Sequence, residues 1–530
     1  MSGQPRAILA FTILSVLVAA CGGPGPTATP GRTSSATPGT TTPSPGESGA
    51  PSVEPSAEPT VEPSAPAGPV DVPLALVADI RERRTGLPAS RIRADLEAGK
   101  IVIPCGIEGI TLGGKAVDLP STDCQDADRI GAWVRAKAGR LGLVPPGLVS
   151  PRIKVLRVGA ADLFGGPKRR AADYPLVARA DGWSSAWVAY DAGEVRTLIS
   201  LGDSCPDRGV SNQTNTLGKG WDWALNGGTA KYTGRHWDSR FDWWVVDAKR
   251  TGNKGAVTAL ISDAEITLDD FECPMTRHFV QHDTGTVFSI DPKVAPLLAR
   301  HGIDVVTLAS NHLTDQGIGA LKETLALFDK NKIKRFGAGM NLAEALKPAV
   351  IDVRGVRFGF VGFNEIPGSA KAGASTPGVA YLTSSNVKKG VAAARKRAEV
   401  VIVVPQWGWP EYHANFTARQ KDQMDLFFDA GADHVIGHGT HWASAIAIRP
   451  GEDGDHFVIS SHGNFLFGQD WSRQTQEGVI VELTFVGTRL AQARLHPYIM
   501  LDQAQANLVD PATDGKFVLD QVWSNSKLPK

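Results

Sequence analysis

Four runs in the second half of the chain carry apolar residues on both faces: "GIDVVTLA" from Gly302, "VRFGFVGF" from Val356, "EVVIVVPQ" from Glu399 and "DHVIGH" from Asp433. Strands with that pattern are buried between layers rather than half solvated. Between them the period changes to that of a helix. In "IGALKETLALFDKNKI", Leu321, Leu325 and Phe328 form one stripe. In "ARQKDQMDLFFDAGAD", Met424, Phe427 and Phe428 do the same before Gly431 stops the helix. Further on, "HFVISSHGNFLF" and "GVIVELTFVG" read as more strands. Alternation of this kind predicts an α/β domain, spanning 195–500 and followed by a tail at 501–530.

Residues 70–194 read as a smaller α/β accessory domain. "IVIPCGIEGITLGG" is strand-like with a Gly-Gly turn, and "DADRIGAWVRAKAGRLGLVPP" is a helix in which Ile130, Val134 and Leu141 share an apolar stripe. Before it, residues 22–69 are dense in Pro, Ser, Thr and Gly. Such composition buries too little apolar surface to offset backbone entropy, so it reads as an extended tether. Ahead of the tether, Arg6 precedes an apolar run of 14 residues, "AILAFTILSVLVAA", and then Cys21. That run is short of the ~20 residues of a membrane-spanning helix, and "VAAC" resembles a bacterial lipobox. Residues 1–21 are therefore expected to be a lipoprotein leader, with Cys21 lipidated and the folded chain held at the extracytoplasmic face of the cell membrane.

The charge is balanced, with 55 Lys+Arg against 55 Asp+Glu. A chain with no global basic field is not expected to bind nucleic acid. Besides Cys21 there are four cysteines, and in an oxidising compartment they allow three pairings. Local closure favours Cys105–Cys124 and Cys205–Cys273, each stabilising by roughly 3–4.5 kcal/mol in the chain-entropy model.

Polar residues gather where the strands stop. "TLISLGDSCPDRGV" holds Asp203, "TALISDAEITL" holds Asp263 and Glu265, and "TLASNHLTDQG" holds Asn311, His312 and Asp315. "VIVVPQWGWPEY" adds Gln406 and Trp407, "DHVIGHGTHW" adds His438 and His441, and "SSHGNFLF" adds His462 and Asn464. Taken singly, each has a plainer reading: Asp263 and Glu265, two apart, fit the solvated face of a strand. Taken together, carboxylate, amide oxygen and imidazole from separate loops suit one or two divalent ions, Mn²⁺, Mg²⁺ or Zn²⁺. The tryptophans of "WDWALNGGTAKYTGRHWDSRFDWW", from Trp221 to Trp244, fit a helix core better than a sugar-binding groove beside Trp407 and Trp409.

The order of these motifs resembles the CapA family, associated with poly-γ-glutamate capsule synthesis. Its pattern runs GD, NLE, NNH-xx-D-x-G, HWG-x-EY, GAD-x-V-x-GxHPH and GNF, matched here by "LGDSCPDRGV", "SDAEITL", "SNHLTDQG", "QWGWPEY", "GADHVIGHGTH" and "HGNFLF". The resemblance implies a metallophosphoesterase-like layered β-sandwich flanked by helices. It also implies that Asp203, Glu265, Asn311 and His441 hold metal, with His312 as proton donor oriented by Asp315. Asp263, Gln406, His438 and Asn464 are further metal or substrate candidates. Gln406 and Gly439 stand where the family has histidines, which weakens the site, and His438 replaces one only with a shifted backbone. The implied partners are an anionic envelope polymer or its precursor and other capsule-synthesis membrane proteins. Two rivals to that activity are a phosphoesterase acting on envelope phosphate esters and a non-catalytic polymer-binding module.

Anchoring is directly testable: wild-type protein should fractionate with membranes, and Cys21→Ser should be released or remain unprocessed. Equal membrane retention of a processed, unacylated Cys21→Ser chain would exclude a lipid anchor.

Overall fold

The computed structural model describes residues 68–120, 124–239, 243–282 and 284–528; Cys21, the leader and the tether through residue 67 lie outside the described residues. The second half of the chain is a sandwich of two sheets. The larger has ten strands, ordered Trp243–Gly252, Thr229–Asp238, Gln505–Leu508, Arg489–Leu501, Glu477–Val486, Val195–Cys205, Ile266–Phe271, Val305–Thr307 and Lys334–Phe336, with Asn464–Phe467 paired to the end of Val195–Cys205. The smaller has six: Ala349–Val353, Val356–Asn364, Val400–Gln406, His434–Ile436, Gly454–Ile459 and Ile446–Gly451. Each sheet contains a parallel run of four strands.

Why these strands read as apolar on both faces is visible in their side-chain parity. Val400, Ile402 and Val404 point between the sheets, where they meet Leu198, Ile266, Leu268 and Val305 of the larger sheet. Val401 and Val403 point outward onto Val387, Val391, Met424 and Phe427 of helices Ser384–Arg395 and Ala418–Asp429. On the opposite outer face, Ile199 and Leu201 meet Leu321, Leu325 and Phe328 of helix Gly317–Lys330. Helices thus cover both outer faces, and the expected layered α/β sandwich is what the chain forms.

Residues 70–194 build a separate apolar core around four- and five-stranded sheets and helices Ala89–Glu97 and Ala127–Arg135. Disulfide Cys105–Cys124 closes one side of this region, and Cys205–Cys273 ties two neighbouring strand ends of the sandwich. Both expected pairings are present. The region is fastened to the sandwich by polar contacts. Buried Arg494 grips Asp162 through two bonds of 2.5 and 2.8 Å. Arg169 reaches Asp263 at 2.6 Å and Glu482 at 3.1 Å. The Gln492 side chain accepts the Val155 N–H at 2.8 Å.

Three local expectations change. Helix Ala127–Arg135 keeps Ile130 and Val134 buried, but Leu141 lies beyond the left-handed Gly139 in strand Leu141–Val144. Of the tryptophans, Trp221 is buried in a short helix, whereas Trp237 and Trp244 face each other, half exposed, on an antiparallel hairpin. Alternating polar residues such as Lys231 and Arg235 favour strand pairing there over a helix. Finally, 501–530 is no loose tail. Strand Gln505–Leu508 joins the large sheet, and helix Lys516–Asn525 inserts Val518, Leu519 and Val522 into the core between the sheets.

Asp162→Ala would leave buried Arg494 with the Val155 carbonyl and Glu482, at 3.7 Å, as its remaining partners, and breaking a buried ion pair costs about 3–5 kcal/mol. Urea denaturation should show that loss; a change under about 1 kcal/mol would mean the pair does not hold the two regions together.

Candidate metal centre

Strand Val195–Cys205 is buried along its whole length and delivers Asp203 to the edge of the sandwich. The preceding Gly202 cannot be larger, because a Cβ there would run into the carbonyl of Gly463. That close approach lets the Asp203 N–H bond the Gly463 carbonyl at 3.0 Å and brings Asn464 alongside. The neighbouring strand, Ile266–Phe271, runs parallel and ends in Asp269, Asp270 and Glu272, all buried. From the smaller sheet come Gln406, at the end of Val400–Gln406, and His438 and His441, beyond His434–Ile436.

The Asp203 carboxylate is the hub. Its Oδ1 lies 3.1 Å from Nδ1 of His438, and its Oδ2 lies 3.1 Å from Nδ1 of His441. His438 Nδ1 is also 3.6 Å from Asp270 Oδ2, and His441 Nδ1 is 2.8 Å from Asn464 Oδ1. His462 stacks flat on His438 with centroids 4.7 Å apart. Two donor triads result, Asp203–Asp270–His438 and Asp203–Glu272–His441, sharing Asp203, with ligand atoms in each within 4.8 Å of one another.

The electrostatics are unbalanced without a cation. Burial pushes the Asp203 carboxyl up, but hydrogen bonds from the two imidazoles outweigh it and hold the group below the usual carboxylate range. Burial raises Asp270 and Glu272 well above their ordinary values, and the charge of Asp203 adds to it. Asp269 is pushed up to about 7 by burial despite the Ser204 hydroxyl. Burial lowers His441, but Asp203 more than compensates and its value rises; His462 falls through burial and the adjacent His438.

Unpartnered buried atoms concentrate here: both oxygens of Asp270 and of Glu272, Gln406 Oε1, and Nε2 of His438 and His462. Buried polar atoms are normally satisfied, so this set of orphaned acceptors fits a hard or borderline divalent cation. The residues present suit the group.

Of the residues singled out in the sequence, Asp203, His438, His441 and Asn464 lie in contact with one another. His438 reaches Asp203 without a displaced chain, because Gly439, at φ +95°, turns the backbone between the two histidines. A family-like histidine at 439 would be strained at that φ, and its Cβ, 3.0 Å from Gln406 Cδ and Ile366 Cδ1, would require those side chains to shift. Asn311 and Gln406 are joined at 3.4 Å through Oδ1 and Nε2, both side chains being buried. His312 is oriented as expected, with Nδ1 2.9 Å from Asp315 Oδ2. Trp407 is fully buried and bonds the Ser460 carbonyl, so it lines no groove, whereas Trp409 is exposed.

Asp263 and Glu265 are a correction. They precede the strand and lie at its amino end, where Asp263 binds Arg169 and Glu265 accepts from the Thr197 N–H and Arg354 at 2.7 and 2.9 Å. Both are satisfied by the protein's own groups, and neither belongs to the donor triads found among the described residues. Their places are taken by Asp270 and Glu272 in "TLDDFEC", seven residues on. The signal was present: ligands sit at carboxyl ends of strands, and these acids follow the apolar stretch that Asp263 and Glu265 precede.

The family model for bacterial capsule synthesis protein PGA_cap matches residues 197–469, more than half of the chain. The PGA biosynthesis protein CapA of Bacillus subtilis (strain 168) is 30% identical over 244 residues, 44% of this chain and 63% of that protein. The capsule biosynthesis protein CapA of Bacillus anthracis is 26% identical over 235 residues, 43% and 56% of the two chains. The chain thus spans less than two-thirds of either relative. Among solved structures, a hypothetical protein from Thermus thermophilus overlaps with a TM-score of 0.34 at 13% identity, covering 57% of this chain and 99% of that one. The calcineurin-like phosphoesterase YfkN from Bacillus subtilis overlaps with a TM-score of 0.29 at 13% identity, covering 62% and 97%.

Metal analysis of purified protein dialysed against Mn²⁺ separates the two ligand assignments. The shared-Asp203 geometry predicts two equivalents in the wild type, none in Asp203→Asn, at most one in Asp270→Asn or Glu272→Gln, and no loss in Glu265→Gln. Metal loss confined to Glu265→Gln would overturn the site.

Proposed function

The chain belongs to the bacterial capsule synthesis protein family PGA_cap, and on that premise we propose that it is a metal-dependent hydrolase or transferase acting on an anionic polymer of the cell envelope, of the poly-γ-glutamate kind, or on its precursor. The observation that carries the reading is the pair of donor triads sharing Asp203, buried and otherwise unsatisfied. We also propose that it works outside the membrane, tethered by lipidated Cys21 and alongside other capsule-synthesis membrane proteins. Two disulfides in one chain support an oxidising compartment, and the names of the Bacillus relatives support the substrate class.

Asp203, Asp270, Glu272, His438 and His441 would hold the cation, which polarises a carbonyl or phosphoryl oxygen and makes water nucleophilic near neutral pH. The remaining roles fall to the chain itself. Asp315 Oδ2 accepts from the Phe288 N–H at 2.9 Å and receives Nδ1 of His312, so the imidazole is fixed by a carboxylate that is itself held by backbone. With Nδ1 taken, Nε2 of His312 is the atom that passes a proton to the departing amine or alkoxide. Asn311 and Gln406, bonded to each other, keep the amide wall next to it in place.

A second reading, a phosphoesterase acting on envelope phosphate esters, draws on the same geometry, because two cation sites sharing a carboxylate suit in-line displacement at phosphorus.

His312→Ala should retain its metal and lose about 10²–10⁴-fold in turnover, assayed in parallel on poly-γ-glutamate and on a phosphomonoester. The substrate that turns over chooses between the readings. Unchanged turnover in His312→Ala, or a wild-type chain that takes up no divalent metal, would overturn the proposed role.

A further inference from the structure

Three arginines are buried among the described residues: Arg196, Arg208 and Arg494. Two are neutralised or saturated. Arg494 is paired with Asp162 and lies 3.7 Å from Glu482. Arg196 binds the Glu194 carboxylate at 3.1 Å and carbonyls of Glu194, Val353 and Arg354. Arg208 is the exception. Among the described residues its guanidinium makes one bond, to the Gly285 carbonyl, and Nε is buried with no partner. The adjacent Asp207 carboxylate is already committed, accepting backbone N–H groups of Arg208, His282 and Ser289 and contacting the His282 ring at 2.6 Å.

Aromatic faces hold this cation. It lies 4.6 Å from the Phe288 ring centroid, 6.0 Å from Phe467 and 5.9 Å from Trp471. The same rings border the candidate centre. Phe288 meets His312 edge-on at 4.7 Å, Phe467 meets His441 at 5.3 Å, and Trp471 meets Tyr412, itself 5.4 Å from His441. The backbone at Arg208 is left-handed, at φ +46°, a conformation that side chains of this size adopt only under constraint. Burying an unpaired cation is costly, and ring faces offset only part of that cost. A planar guanidinium has a geometry suited to stacking and to gripping an oxyanion with two parallel bonds.

We propose that Arg208 is the anion-binding residue of this site, its guanidinium taking an oxyanion of the substrate, carboxylate or phosphate, between the rings beside His312 and His441. The assignment rests on the function proposed above, since an anionic substrate must approach a centre already crowded with carboxylates. Arg208 supplies a positive charge at that approach.

The test is calorimetric titration of the full chain, with and without Mn²⁺, using inorganic phosphate in one arm and tri-γ-glutamate in the other. Arg208→Met places an apolar side chain among the rings. It should lower affinity for at least one probe ten-fold or more, leave metal content unchanged, and leave the melting temperature equal or higher. The probe that loses affinity identifies the oxyanion. Arg208→Lys, which keeps the charge and loses the fork, should lose at least three-fold for that probe and stands in if Arg208→Met fails to fold. Wild-type affinity for both probes in a folded variant, or a lowered melting temperature with binding intact, would make Arg208 a structural cation and overturn the proposal. Metal content of the wild type reports separately on the centre itself, because the titrations require no turnover.

Discussion

Four carboxylates, those of Asp203, Asp269, Asp270 and Glu272, are buried where two parallel strands end side by side. Like charges about 4 Å apart repel by about 4 kcal/mol at an effective dielectric of 20, and no arginine or lysine pairs with these four among the described residues. His438 and His441 face Asp203 at 3.1 Å each, and His438 also lies 3.6 Å from Asp270. The cluster is therefore costly as protein and consistent with a divalent cation among the acids. Much of the local backbone serves it. Gly202 admits the chain around Gly463, Gly439 turns His438 and His441 toward one carboxylate, and His441 itself is left-handed at φ +59°. Cys205–Cys273 ties the two ligand strands just beyond their acids.

The same strand does different work at its two ends. Asp263 and Glu265, at the amino end of Ile266–Phe271, fasten the sandwich to residues 70–194 through Arg169 and to the 354 turn through Arg354. Asp270 and Glu272, at and just beyond its carboxyl end, have no cation of the protein's own. Acids near one end are satisfied by guanidinium groups and hold the fold. Acids near the other are left unsatisfied and form the site. The chain pairs its structural charges, and the unsatisfied acids are consistent with a divalent ion as their partner.

Much of the fold was legible. Strands apolar on both faces, with helices of a single stripe between them, require layers on either side, and the sandwich supplies them. Both disulfides followed from local closure. Leu141 and the Trp237–Trp244 hairpin were misread because short segments carry too few periods to separate helix from strand. The 501–530 segment was misread because its helix takes its stability from the core it enters.

Residue identity and order were enough to show that carboxylates, amides and imidazoles collect at strand ends, that Asp315 stands beside His312, and that Asp203 and His441 come from different loops. Such pairings are local or motif-bound, and the chain carries them in its spacing. Which acids face that site was decided by tertiary structure. Asp263–Glu265 and Asp270–Glu272 present the same spacing on the same strand, and only the direction of that strand puts one pair against arginines and the other against histidines. Arg208 is the same case in a basic residue. Nothing in "CPDRGV" separates it from any surface arginine until Phe288, Phe467 and Trp471, distant in the chain, close around it.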